Sequence, residues 1–447
     1  MHKILSITMI LGCAALFTAC AGEEEDLFDK SAAERLNEMS SIYSQRLEAQ
    51  PAGWAMQYYP TDVADGYLIL ADFNADHSVK VAMNNTFTGN KYKEDESVWD
   101  VITDNGPVLS FNTYNALLHI FSDPSDTYGG ETGTGIGGDY EFVIVDAPED
   151  ASYMMLKGKK RGTYTLLTPL EEGTDFETYL SDVITFQNTY LSASAPNKLF
   201  LIKHDTETIQ GQTFKFNLNT ANNGIRAMIT PEGLDEITYG TLYPFLVTKR
   251  GGKFYIRFRD FVSVNDGDMV REFVYDDARD LFVATDNENC TIESEVPAAF
   301  MLKTIDNNQR WVWQRSSTMS DKMKGIYDNM YNGFRAANLN LLDASFALNQ
   351  GQLVMRVRSR EKSSTNNTLF LYEMTADGED LNIAFKGAST EGAQKMMDSI
   401  AGLAEFLQTF NGKYHVTPAT TQFNMSQLRL TSAADAELWV ETKLSSQ

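Results

Sequence analysis

"WAMQYYPTDVADGYLILADFNADHSVKVAMNN", residues 54–85, holds three short apolar runs cut by polar turn-formers. Within each run the side chains repeat with a period of two, and aromatic and β-branched residues recur, which is the signature of half-buried strands. The breaks "DVADG" and "NADH" are turn chemistry too short for a crossover helix, so neighbouring strands must run antiparallel. A parallel, doubly wound nucleotide fold is not suggested.

The same pattern continues through "PVLSFNTY", "DYEFVIVD", "YMMLKGKK" and "GTYTLLTP". A second series follows in "KLFLIKHD", "QTFKFNLN", "GIRAMITP", "PFLVTKRG", "KFYIRFRDFV", "REFVYDD", "DLFVATD" and "RWVWQRS". Between them, residues 174–187 have helical spacing, with Thr174 and Glu177 placed as a capping box before Phe176, Leu180 and Val183. Upstream, Ser31 and Glu34 form another such box before Ala32, Leu36, Met39, Tyr43 and Leu47, and "PAG" at 51–53 ends that helix. The last third mixes types. Met323, Tyr327, Met330 and Phe334 share a helical face after Ser320, and Met396, Ile400, Leu403, Leu407 and Phe410 share another. "ASFALN", "QLVMRVRS", "LFLYEMT", "LNIAFKG" and "SQLRLTS" read as strands. The expected fold class is α+β, predominantly antiparallel β. Its organisation is an N-terminal helix plus β unit over 31–170, a second β-rich unit over 171–315 and an α+β region over 316–447. No residue-by-residue internal repeat is visible.

The chain has 447 residues and a formal net charge of -24. Its longest basic run is "KGKKR" at 157–161, so nucleic acid, which needs a basic stripe against phosphate, is excluded as a partner. With 43% hydrophobic residues the chain is too apolar to be disordered.

Residues 1–20 stand apart. "MHK", the 14-residue run "ILSITMILGCAALF" and "TAC" have the basic, apolar and small-residue regions of an export signal, too short to span a bilayer. "LFTAC" resembles a bacterial lipobox ending at Cys20, with Phe17 where Leu is more usual; an ordinary signal peptide cleaved near Ala19 or Ala21 is the alternative. Lipidation of Cys20 would supply enough acyl chains for stable anchoring in the outer membrane. The acidic stretch "AGEEEDLFDK", residues 21–30, is then a solvated tether, and it resembles the signal that sends Bacteroidetes lipoproteins to the cell surface. Cys13 leaves with the signal and Cys20 carries lipid, so Cys290 has no disulfide partner; in "DNENCTIESEV" it reads as a buried small residue.

Chemical motifs are sparse. His77, His119, His204 and His415 are dispersed without metal-ligand spacing, and no metal or cofactor is expected. "DFNADH", 72–77, begins like a calcium loop but has His77 at the sixth position and Met83 at the twelfth, so a hairpin turn is the simpler reading. Gly133, Gly135 and Gly138 spell G-x-G-x-x-G within "YGGETGTGIGGDYEF", residues 128–142. A strand follows them where a nucleotide loop needs a helix. The segment is instead expected to feed a hairpin in which Asp139 and Glu141 face Lys157, Lys159 and Arg161. No catalytic residue is assigned. Trp311 and Trp313 lie on one strand face, the arrangement of a ligand-stacking platform, with Arg310 and Arg315 beside it; paired core tryptophans are the alternative.

"GPVLSFNTYNALLH" (106–119), "GGDYEFVI" (137–144), "LKGKKRGTY" (156–164) and "PFLVTKRGGKFY" (244–255) resemble segments of a Bacteroidetes surface-lipoprotein family of unknown function, the domain-of-unknown-function 4302 type. The resemblance implies a place beside SusC/SusD-like uptake systems. The expected function is a non-catalytic outer-membrane accessory that binds a glycan or peptide nutrient for uptake. The alternatives are a surface hydrolase of that nutrient or a structural, adhesive surface protein.

Overall fold

The computed structural model describes residues 30–446 apart from 63, 105, 128–129, 192–199, 205–206, 220–223, 232–237, 239, 264–268 and 306–308, with backbone alone at 200–225, 230 and 231. Cys20 and the tether up to residue 29 lie outside the described residues.

The period-two runs become strands, each paired with its sequence neighbour. β1 (Trp54–Tyr58), β2 (Tyr67–Phe73), β3 (Ser78–Met83), β4 (Lys93–Thr103), β5 (Pro107–Phe111), β6 (Glu141–Asp146), β7 (Met154–Gly158) and β8 (Tyr164–Pro169) form one antiparallel meander. It closes on itself where Trp54 pairs with Pro169 and Met56 with Leu167. A second barrel closes from β9 (Phe200–His204), β10 (Glu207–Asn219), β11 (Gly224–Pro231), β12 (Thr241–Arg250), β13 (Lys253–Ser263), β14 (Met269–Asp276), β15 (Leu281–Ala284) and β16 (Thr291–Ser294). A third closes from β17 (Gln309–Trp313), β18 (Asn340–Asn349), β19 (Gln352–Glu361), β20 (Ser364–Asp377), β21 (Asp380–Ala388), β22 (Gly412–Pro418), β23 (Gln427–Ser432) and β24 (Asp435–Ser446). The fold is therefore α+β and dominated by antiparallel sheet. The strand "RWVWQ" does not end the second unit. As β17 it pairs with β18 and β24, and so opens the third barrel.

Each barrel is led in by a helix: α1 (Ala32–Glu48), α2 (Phe176–Tyr190) and α3 (Pro297–Thr304). Each packs on the fourth strand of the barrel that follows, β4, β12 and β20. Ser31 and Glu34 make the expected capping box of α1. For α2 the cap moves by one residue: the Asp175 carboxylate accepts the Thr178 amide, while the Thr174 hydroxyl bonds back to Glu171. Ser320 caps α4 (Asp321–Ala336) as expected. The single helix expected beyond Thr390 is two, α5 (Glu391–Ser399) and α6 (Leu403–Thr409), broken at Gly402, whose φ of 78 is left-handed. No described helix is long and apolar enough to cross a membrane.

Three buried clusters fill the barrels, and one of them crosses a boundary. Ala55, Leu70 and Ala82 point out of the first barrel and join Phe176 and Leu180 of α2 with Phe245 and Phe258 of the second. At one edge of this apolar seam the Arg226 guanidinium grips the Asp65 carboxylate with two bonds, the Nη2 one at 2.9 Å. The third barrel joins the second through Gln422, whose amide donates to Asp280 Oδ2 at 2.6 Å and whose side chain accepts from the Ser294 amide at 3.0 Å.

Candidate functional site

Trp311 and Trp313 do not form the expected stacking platform. Both are fully buried, so neither offers a face for stacking. Trp311 Nε1 donates to the Met301 carbonyl at 3.2 Å and Thr304 Oγ1 at 3.1 Å, and Trp313 packs on Phe346 and Phe410. The neighbouring arginines are engaged elsewhere. Arg310 Nη1 pairs with Asp343 at 3.2 Å, and Arg315 sits over the Tyr331 ring. Period-two alternation put the indoles on one face correctly, but which face of a closed barrel points inward depends on pairing distant in sequence.

Cys290 is fully buried in the second barrel. His77 occupies the β2–β3 turn with a left-handed φ of 65, where Asp76 Oδ1 accepts the Ser78 amide at 2.9 Å. His119 stacks on Tyr140 at 4.8 Å, and His415 bonds Asp380 at 3.1 Å. The His204 side chain lies outside the described residues. Among the described residues no three His, Cys, Asp or Glu side chains converge as a metal site.

What the fold does assemble is a cleft of about 480 Å³ between the first and second barrels, lined by Tyr59 and Asp62 from the β1–β2 connection, Arg161, Thr163 and Tyr164 from the β7–β8 turn, and Arg259 to Phe261 with Arg271 from β13 and β14. Each wall has a local cause. The β13–β14 register slips between Arg257 and Val262, a bulge that swings Arg259, Asp260 and Phe261 out of the ladder. Arg271 stitches the bulge, its Nε donating to the Phe258 carbonyl at 3.1 Å and its Nη2 to that of Arg259.

The opposite wall is set by Asp139. Its buried carboxylate accepts the backbone amides of Lys160 at 3.0 Å and Arg161 at 2.8 Å, which fixes the β7–β8 turn. Charge-assisted bonds of this kind are roughly twice as strong as neutral ones. The expected ladder is thus realised in part: Glu141 meets Lys159 at 3.2 Å, whereas Asp139 binds backbone, and Lys157 covers the Tyr164 ring. The glycine segment has a packing role. A Cβ on Gly137 would lie 2.9 Å from Arg161 Nη2, and one on Gly138 would lie 2.3 Å from the Tyr58 hydroxyl, which bonds both the amide and the carbonyl of Asp139.

Two residues that line the cleft carry hydroxyls, Tyr59 Oη and Thr163 Oγ1, that are buried within its walls without a hydrogen-bond partner. Burial raises the Tyr59 phenol above its ordinary value of 10.0, against the pull of the Arg271, Arg257 and Arg259 guanidiniums. Burial, followed by the neighbouring Arg257 charge, lowers Arg271 from its ordinary value, although it remains a cation. Arg259 pairs with Asp260 at 2.7 Å, while Arg161 and Arg271 make no ion pair among the described residues. A buried polar group without a partner calls for an explanation, and beside a cavity a ligand is one. No contiguous motif encodes the cleft; the one local signal was "KGKKR", the longest basic run in an acidic chain.

Three helix-led, closed eight-strand meanders in tandem, with a polar cleft at the first junction, define a three-barrel scaffold. The chain belongs to the family described as domain of unknown function DUF4302, whose match spans residues 24–277. That span takes in the first barrel, the cleft and most of the second barrel. No curated protein matches the chain. Among solved structures, that of intact Ap-TbpB with its N and C lobes shares 9% identity over 87% of this chain and 67% of the other, at a TM-score of 0.14.

Proposed function

We propose that the protein is a surface lipoprotein, anchored in the outer membrane through acylated Cys20, that binds a glycan or peptide nutrient at the cleft between its first two barrels. It hands the nutrient on without transforming it, as an accessory of a SusC/SusD-like uptake complex. The observation that carries this reading is the cleft itself, with walls supported from both barrels and with two unsatisfied buried hydroxyls, Tyr59 Oη and Thr163 Oγ1, on residues that form those walls. Binding sites on rigid scaffolds keep a few convergent polar groups unsatisfied until the ligand arrives. The acidic stretch after Cys20 supports the surface location, since it gives the barrels a solvated tether away from the lipid.

Two experiments test the two halves. Cys20→Ser should move the protein from the membrane fraction to the soluble fraction, and continued membrane association refutes the anchor. The full chain, purified in detergent and applied to glycan and peptide arrays, should retain one ligand class that Arg161→Gln loses. Array binding that ignores the cleft substitutions refutes the site.

A further inference from the structure

Resting on that reading, we infer that the cleft between the first two barrels selects an acidic oligosaccharide, one whose sugar rings carry carboxylates. The cleft holds three arginines, Arg161, Arg259 and Arg271, against two aspartates, Asp62 and Asp260, in a chain with 37 basic and 61 acidic residues. Asp260 is taken up by Arg259. Two guanidiniums therefore face a single remaining carboxylate, and they stand on opposite walls, one on the β7–β8 turn and one on β14. A planar guanidinium is suited to bidentate capture of a carboxylate. The Phe258 and Arg259 carbonyls hold that of Arg271, while Asp139 anchors the main chain of Arg161, whose guanidinium lies against Gly137.

The sugar component follows from the rings. Tyr164 and Phe261 are 53% and 51% exposed, unusual for residues of their size, and they line the same cleft. Each already has a cation over it, Lys157 Nζ at 5.5 Å from the Tyr164 centroid and Arg271 Cζ at 5.2 Å from that of Phe261. A ring with a cation over one face keeps its other face for stacking, and the C–H face of a pyranose fits there. Tyr59 Oη and Thr163 Oγ1 then supply donors and acceptors for ring hydroxyls, and Asp62 accepts one. A free acidic peptide would use the arginines but would leave two separated aromatic platforms idle.

The test uses the full chain in detergent and calorimetric titration with three probes: an oligogalacturonate, its fully methyl-esterified form, and an oligoglutamate peptide of matched charge. The oligogalacturonate should bind, with the ester weaker by about tenfold or more and the peptide weaker still. Arg161→Gln and Arg271→Gln should each cost about tenfold for the acid and little for the ester. Because Arg271 also braces the bulge, Arg161→Gln is the decisive variant, and Arg161→Lys should restore part of the affinity. Equal binding of acid and ester overturns the charge selectivity while leaving nutrient binding in place. Preferential binding of oligoglutamate overturns the sugar assignment and identifies a peptide site. Failure of all three probes, together with an array ligand lost on Arg161→Gln, overturns the acidic-sugar assignment alone; no array ligand at all overturns the binding function itself.

Discussion

The indole Nε1 of Trp54 donates to the main-chain carbonyl of Leu47 at 2.9 Å, tying the first strand of the first barrel to the last turn of the helix before it. Trp311 does the same two barrels later, bonding the Met301 carbonyl from the first strand of the third barrel. In both places a buried tryptophan bonds a carbonyl in the last turn of a helix; at Met301 the Thr304 hydroxyl shares the acceptor. Trp54→Phe should therefore lower unfolding stability by about 1.5–3 kcal/mol, from lost ring volume plus an unsatisfied carbonyl. Urea denaturation followed by far-UV circular dichroism measures it, and a loss within about 0.5 kcal/mol contradicts the role.

Two glycines in α4 predict opposite signs. A Cβ on Gly333 would come within 2.2 Å of the Ala401 carbonyl oxygen, where α4 crosses the segment between α5 and α6. Gly325 in the same helix has nothing within 4 Å. Gly333→Ala should destabilise by about 1–3 kcal/mol through overpacking, and Gly325→Ala should stabilise by about 0.5–1 kcal/mol through helix propensity. Thermal unfolding of the two variants side by side tests the pair.

His119 gives the pH dependence. Burial lowers it from its ordinary value of 6.5, and its Nδ1 accepts the Asn115 amide at 3.1 Å, a bond that needs the neutral ring. The unfolded chain therefore binds a proton that the folded chain refuses, so stability is complete above about pH 6.5 and declines as pH falls through that value. His119→Gln should flatten this slope between about pH 5 and 7, seen in unfolding midpoints across that range.

The cleft predicts a trade between stability and binding. Tyr59→Phe removes a buried hydroxyl without a partner and should raise stability by up to about 1 kcal/mol while weakening the ligand. A variant that is both less stable and unimpaired in binding would contradict the assignment of that hydroxyl to a ligand.

Asp139→Asn keeps the shape but removes the charge that holds the β7–β8 turn. The loss should be about 1–3 kcal/mol, and Arg161 should become mobile relative to its neighbours. Faster amide hydrogen exchange at 158–162, confined to that turn, is the expected signature.

The strands and most helix starts were legible because their causes are local. Ser31 with Glu34, and Ser320, mark caps within a turn of the residues they serve, and alternation marks "YLILADF" wherever it falls. Closure was not legible, since the pairing of Trp54 with Pro169 or Gln309 with Ser446 leaves no trace in either neighbourhood. For the same reason the last third looked like a different architecture: helices α4, α5 and α6 interrupt its meander and hide the third barrel. The cleft was hidden more deeply, because Tyr59, Arg161 and Arg271 meet only after two barrels have closed and docked.

Closure also fixes where this protein can be divided. The family match stops at residue 277, just beyond β14, with β15 and β16 still to come. A fragment cut at that point would leave β14 and β9 as open sheet edges, with unpaired amides and carbonyls ready to recruit a second chain. Extending it past Ser294 restores the pairing of β16 with β9, so the smallest two-barrel piece expected to stay monomeric is longer than the segment by which the family is recognised.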